Sequence, residues 1–148
     1  MTWFMAWGTK REVVKETQLG KAESQFDDDI LTYKRELAGY LFEVTYYFDE
    51  ETLQAIDIEY TDVFDDDAEA FAVWAALDKK LADELGEPVK VFERDRDSFG
   101  EDDLAYWSPG EYTSFRWSVF QNETTRAVSR LSGTSDYLLS AGAKVVKR

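Results

Sequence analysis

Cysteine and histidine are both absent from this 148-residue sequence, and the two absences remove most of the usual catalytic and metal chemistry. Without cysteine there is no disulfide, thiol nucleophile or zinc knuckle. Without histidine the usual general base and commonest transition-metal ligand are missing, which excludes Ser-His-Asp, Cys-His and His-metal arrangements. Carboxylate chemistry stays open. Glycine is sparse, and Gly39, Gly86, Gly100 and Gly110 stand alone as turn residues rather than in a phosphate-cradling run. Nucleotide binding and other cofactors therefore have no support. Long apolar runs are also lacking: residues 1–7 are apolar but too short for a signal segment or a membrane span, and charges follow Gly8 at once. No membrane partner is expected, and a cytoplasmic location is the simplest reading.

Bases are scarce where acids are dense. Residues 25–103 hold 25 of the 31 carboxylates against 7 bases, a net −18, whereas the first 24 residues are +1 and the last 45 are +3. A block of this kind repels nucleic acid and anionic membrane and attracts cationic surfaces. The chain should nonetheless fold: 44% hydrophobic content, with 5 Trp, 8 Tyr and 10 Phe, contradicts the signature of disorder. Its length suits one domain, able to bury roughly 70% of its unfolded surface.

Thr9-Lys10-Arg11-Glu12 has the form of a capping box and predicts a short helix over residues 10–18, packed beside Trp3 and Trp7. Period-two alternation then predicts a three-strand meander over residues 30–60, with Leu31, Tyr33, Tyr40, Phe42, Val44, Tyr46, Phe48, Ile56, Ile58 and Tyr60 facing the core. A two-residue Ala38-Gly39 loop pairs Tyr33 with Val44, and a three-residue loop over 49–51 pairs Val44 with Ile56. A one-residue slip would put Asp57 and Glu59 among the aromatics. The opposite face then aligns Lys34, Glu43 and Asp57.

Asp65, Asp66 and Asp67 precede Phe71, Trp74, Leu77, Leu81 and Leu85, spaced three and four apart as an amphipathic helix over about 66–85 requires. Gly86-Glu87-Pro88 ends it. Strands are expected over 89–93, 112–121 with Phe115, Trp117 and Val119 on one side, 125–131 and 137–140. The fold class is α+β: a largely antiparallel sheet of six to seven strands with one short and one long helix, in a single domain.

Trp7-Gly8-Thr9, Val13 and Gly20, followed by the strands around Tyr40 to Phe48 and Leu53 to Tyr60, resemble small bacterial helix-plus-meander proteins. That fold is shared by β-lactamase-inhibitor proteins and outer-membrane assembly lipoproteins. The resemblance covers mainly residues 7–60 and implies a fold used for protein binding, with no catalytic residues to transfer. It departs from the lipoproteins, which need a lipidated cysteine, and is expected to depart from the secreted inhibitors, which need a signal peptide.

Asp57 opposite Glu43 reads as an acid pair or cation site, against which Lys34 on the other side of Glu43 offsets the repulsion. Asp95, Asp97 and Asp103 match calcium-loop positions 1, 3 and 9, with Gly100 at position 6. Phe99 and Tyr106 stand where an oxygen ligand and a bidentate glutamate belong, so a solvated turn competes with the metal reading. Trp74 and Trp117 fit the core; Trp107 is a candidate exposed anchor, with burial the competing reading. The expectation that follows is a non-enzymatic protein-binding domain of inhibitor or immunity type. Its candidate contacts with a basic partner are Asp27, Asp28 and Asp29 with Asp65, Asp66 and Asp67, then Asp95, Asp97, Glu101, Asp102, Asp103 and Trp107. The alternatives are a carboxylate and divalent-metal enzyme, or a solvated structural domain.

Overall fold

The structure, a computed structural model, describes residues 3–18, 29–93, 113–133 and 139–148. Helix α1 (Arg11–Thr17) precedes the meander β1 (Ile30–Leu37), β2 (Tyr40–Asp49) and β3 (Thr52–Tyr60). Helix α2 (Asp67–Leu85) leads to β4 (Lys90–Glu93), β5 (Thr113–Gln121), β6 (Thr125–Gly133) and β7 (Leu139–Lys147). The fold is α+β, and the described strands form one antiparallel sheet in the order β1-β2-β3-β7-β6-β5-β4. Helix α2 thus carries the chain from the sheet centre to the far edge, and the last strand returns to fill the middle. That last strand is longer and later than the alternation over 137–140 predicted. No helix among the described residues is long and apolar enough to cross a membrane.

Helix α1 begins without the expected capping box. Its N-cap is Lys10, with no side-chain cap, and the Thr9 hydroxyl instead donates to the Ala6 carbonyl at 2.5 Å. The cause is the backbone: Gly8 N–H donates to Leu53 O, Leu53 N–H donates to Thr9 O, and Lys10 bridges Thr52. Pinned to the start of β3, Thr9 closes a local turn and leaves Glu12 to pair with Arg11 and Lys15. Val14 is the buried residue of this helix. Trp3 is buried against Phe42, its carbonyl accepts from the Tyr46 hydroxyl at 2.8 Å, and the Trp7 indole N–H donates to Thr125 Oγ1.

The first hairpin has the expected register, with Tyr33 opposite Val44 and Lys34 opposite Glu43. The second does not. Its loop is two residues, Glu50 and Glu51, and a bulge follows between Tyr47 and Phe48, so Val44 pairs with Ile58 and Ile56 with Tyr46. The bulge is what places Leu53 and Ile56, three apart, on one face that period two alone would not give them. The core-facing set is as predicted. On the other face, Glu59 rather than Asp57 stands beside Glu43, and Asp57 stands beside Thr45.

The two halves of the core differ in the size of their residues. Under α1 and the N-terminal segment, β1–β3 contribute Tyr33, Phe42, Tyr46 and Phe48. Helix α2 lies over β5–β7, where Ser118, Ala127, Ser129, Ala141 and Ala143 are small and buried. Small residues let a helix approach the sheet closely. This packing selects Ala70, Val73, Leu77 and Leu81 as the buried stripe of α2, with Trp74 and Leu85 packed at its margin and Phe71 39% exposed. It also inverts the expected face of β5: Ser118 and Phe120 point into the core, while Trp117 and Val119 take the opposite face. Trp117 stacks there on Phe92, ring centroids 4.7 Å apart.

Candidate functional site

Of the acidic residues singled out in the sequence, Asp27, Asp28, Asp95, Asp97, Glu101, Asp102 and Asp103 lie outside the described residues, as does Trp107. The calcium-like loop lies there too. Among the described residues no group of three or more possible ligands is placed to hold a metal ion. Asp29, Asp65, Asp66 and the backbone of Asp67 are described. Asp29 precedes β1 and its carbonyl accepts from Phe48 N–H at 2.8 Å, beside the Asp49, Glu50 and Glu51 turn. Asp65 and Asp66 lie beyond Tyr60, at the other end of the same strands. At about 3.3 Å per residue, the ten residues of β2 set these two groups roughly 30 Å apart. Asp29 therefore does not share a patch with Asp65 and Asp66.

The patch at the β3–α2 junction is built from the sequence outward. Tyr60, the last residue of β3, stacks on Phe64 with centroids 4.9 Å apart and receives Tyr40 and Phe42 edge-on. Thr61 N–H and hydroxyl both reach the Leu41 carbonyl. With the chain clamped at Thr61 and Phe64, the two residues between them are pushed outward. Asp62 Oδ1 accepts from Val63 N–H at 2.9 Å, and the Val63 side chain is left 83% exposed. Leu41, 44% exposed, lies at the same end of the sheet. Asp66 is the N-cap of α2, its carboxylate accepting from Glu69 N–H at 2.8 Å. The aspartate run thus has a local helix-starting duty, as the sequence predicted.

Among the described residues no base pairs with Asp62, Asp65 or Asp66. The Tyr60 phenol is pushed above its ordinary value by loss of hydration and then by Glu69 and Asp62. The Glu69 carboxyl is likewise raised by loss of hydration and then by Asp65. In both, loss of hydration is the larger cause and the neighbouring carboxylates add to it, a part that an approaching cation would relieve.

The face of the sheet turned away from the helices holds a second constellation that sequence reasoning missed. Strand pairing aligns Lys34, Glu43, Glu59, Gly142, Arg130, Trp117 and Phe92 across all seven strands. Two carboxylates, Glu43 and Glu59, stand directly opposite each other in that row. Glu59 turns the other way, crosses above Gly142 and pairs with the Arg130 guanidinium. Gly142 makes this possible, because a Cβ there would lie 2.5 Å from Glu59 Oε2. Burial raises the Glu59 carboxyl above its ordinary value even though Arg130 acts in the opposite direction. Around this pair, Asp57, Glu59, Arg126, Val128, Arg130, Lys144 and Val146 line a concavity of about 520 Å³. The spacing of Arg126 and Arg130 was the available signal, since residues four apart share one face of a strand.

No protein-family model, curated protein or solved structure matches this chain. What fold and surface define is an α+β domain, its sheet covered by helices on one side, with its acidic and basic surfaces carried by different halves.

Proposed function

We propose that the protein is a non-enzymatic protein-binding domain of inhibitor or immunity type, which covers a basic surface on another protein. One observation carries the reading: an 83% exposed Val63 held out on a rigid aromatic base and accompanied by Asp62, Asp65 and Asp66. An apolar centre with a charged rim is the anatomy of a protein contact. Burying a valine side chain contributes about 1.5–3 kcal/mol, and carboxylates around it steer a cationic partner and make its association fast and salt-sensitive.

The test is capture from a lysate of the source organism, followed by titration of the captured protein. A basic protein should bind at low salt and elute at high salt. Its affinity should fall at least tenfold with Val63→Ser and again with Asp62→Lys and Asp65→Lys, which leave the Asp66 cap in place. A partner indifferent to salt and to these substitutions, or no partner, would refute the proposal.

A further inference from the structure

The concavity on the open face points to a second binding site, independent of the acidic junction. On β6 and β7 the pairings are Arg126 with Val146, Val128 with Lys144 and Arg130 with Gly142. Lys144 is therefore the diagonal neighbour of both arginines. Diagonal neighbours on one face stand about 7–8 Å apart at the backbone, within reach of each other for long side chains. Three cations so placed repel one another unless something lies between them.

The neighbouring strand answers only part of that charge. Glu59 is committed to Arg130. Asp57 is the register partner of Lys144 and accepts from the Tyr47 hydroxyl at 3.4 Å. Neither Arg126 nor Lys144 forms an ion pair among the described residues, and both are exposed. Among the described residues that line the concavity, three cations face two carboxylates, Asp57 and Glu59, beside an apolar floor of Val128 and Val146. The 520 Å³ of the concavity falls within the range of small-molecule sites.

We infer that this face binds a small organic anion: a carboxylate or phosphate head bridges Arg126 and Lys144, and its apolar body lies over Val128 and Val146. Glu59 has a positioning role, holding Arg130 against the sheet at the margin of the site so that the head group is received by the other two cations. Binding adds no covalent step.

The experiment is a titration of the full chain, followed by amide chemical shifts, with indole-3-carboxylate and phenyl phosphate as probes and with indole and inorganic phosphate as half-probes. Saturable shifts confined to β6 and β7 are expected from one or both whole probes, with binding at least tenfold weaker for the half-probes. The preferred head group identifies carboxylate or phosphate as the natural chemistry. Arg126→Gln or Lys144→Gln should each weaken binding about tenfold, a loss of about 1.4 kcal/mol, while Lys79→Gln on the exposed side of α2 leaves it unchanged. No saturable shift on β6 and β7 overturns the inference. So does unchanged affinity in the Arg126→Gln, Lys144→Gln double variant with its native amide spectrum intact. Tighter binding by a polyglutamate peptide than by either whole probe would reassign the face to an acidic polypeptide and overturn the small-ligand assignment.

Discussion

Substituting Gly142 by alanine tests whether Glu59 crosses the sheet above it. A methyl group built there lies 2.5 Å from Glu59 Oε2, 2.7 Å from Glu59 Cδ and 2.7 Å from the backbone carbonyl oxygen of Ile58. The carboxylate can swing away, but the Ile58 carbonyl is fixed between two paired strands and cannot. Part of the overlap must then be met by a shift of β7 against β3. Forcing one methylene into a packed region costs about 1–3 kcal/mol, and the immovable carbonyl argues for about 2 kcal/mol here. For a domain of this size that is a fall in Tm of about 2–4 °C per kcal/mol. Urea unfolding of wild type, Gly142→Ala, Glu59→Ala and the double variant measures it as a cycle. The two substitutions should couple by about 0.5–1 kcal/mol, because Glu59→Ala removes the side-chain overlap and leaves the backbone one. A Gly142→Ala protein within about 0.5 kcal/mol of wild type would contradict the overlap with the Ile58 carbonyl, and a coupling of zero would show that Glu59 does not lie over the glycine.

Glu59→Gln should reveal a pH dependence opposite to that of an ordinary stabilising salt bridge. Its folded carboxyl sits above the ordinary value near 4.5, so the folded state holds that proton more tightly than the unfolded one. The contribution is fully present below the ordinary value and is lost as pH rises through the folded value. The margin of wild type over Glu59→Gln in urea midpoint should therefore shrink with rising pH, and a widening margin contradicts the burial argument. Asp66→Ala removes the N-cap of α2 and should cost about 1 kcal/mol, read by thermal melting; no loss would mean that Glu69 N–H finds another acceptor. Glu50 and Glu51 occupy the β2–β3 turn with φ of 50° and 68°, where Asn-Gly is the preferred pair. Replacing them by Asn and Gly should raise stability by about 1 kcal/mol, and an unchanged urea midpoint would argue against left-handed backbone at both positions.

Elements governed by local chemistry were legible in the sequence, and those governed by distant partners were not. Asp66 followed by periodic apolar residues identified α2, and alternation from Leu31 to Ile58 identified the core face of the meander. The second hairpin failed on its loop length, because Glu-Glu carries no turn signal and the bulge that compensates for it has none either. Strand β5 failed for a different reason. Both of its faces carry aromatics, Trp117 on one and Phe120 on the other, so periodicity alone does not choose between them. The choice is made by α2, which needs Ser118 beside Ser129 beneath it, Ser129 donating to Asp78 on the helix at 2.7 Å.

The same distinction explains why the acidic block stands out along the chain and the basic group does not. The described residues over 29–93 hold eighteen carboxylates and five bases, and those from Thr113 onward hold six bases and one carboxylate. Read along the chain, the second set is thin beside the first. Folding changes the comparison, because inserting β7 between β3 and β6 lays the two sets edge to edge in one sheet. Arg126, Arg130 and Lys144 become neighbours only through the β6–β7 pairing, and Glu59 meets Arg130 across 71 residues only because position 142 has no side chain. The absent side chain at Gly142 places the acid that restrains one cation of the group, and the two left over are those on which an anion would settle.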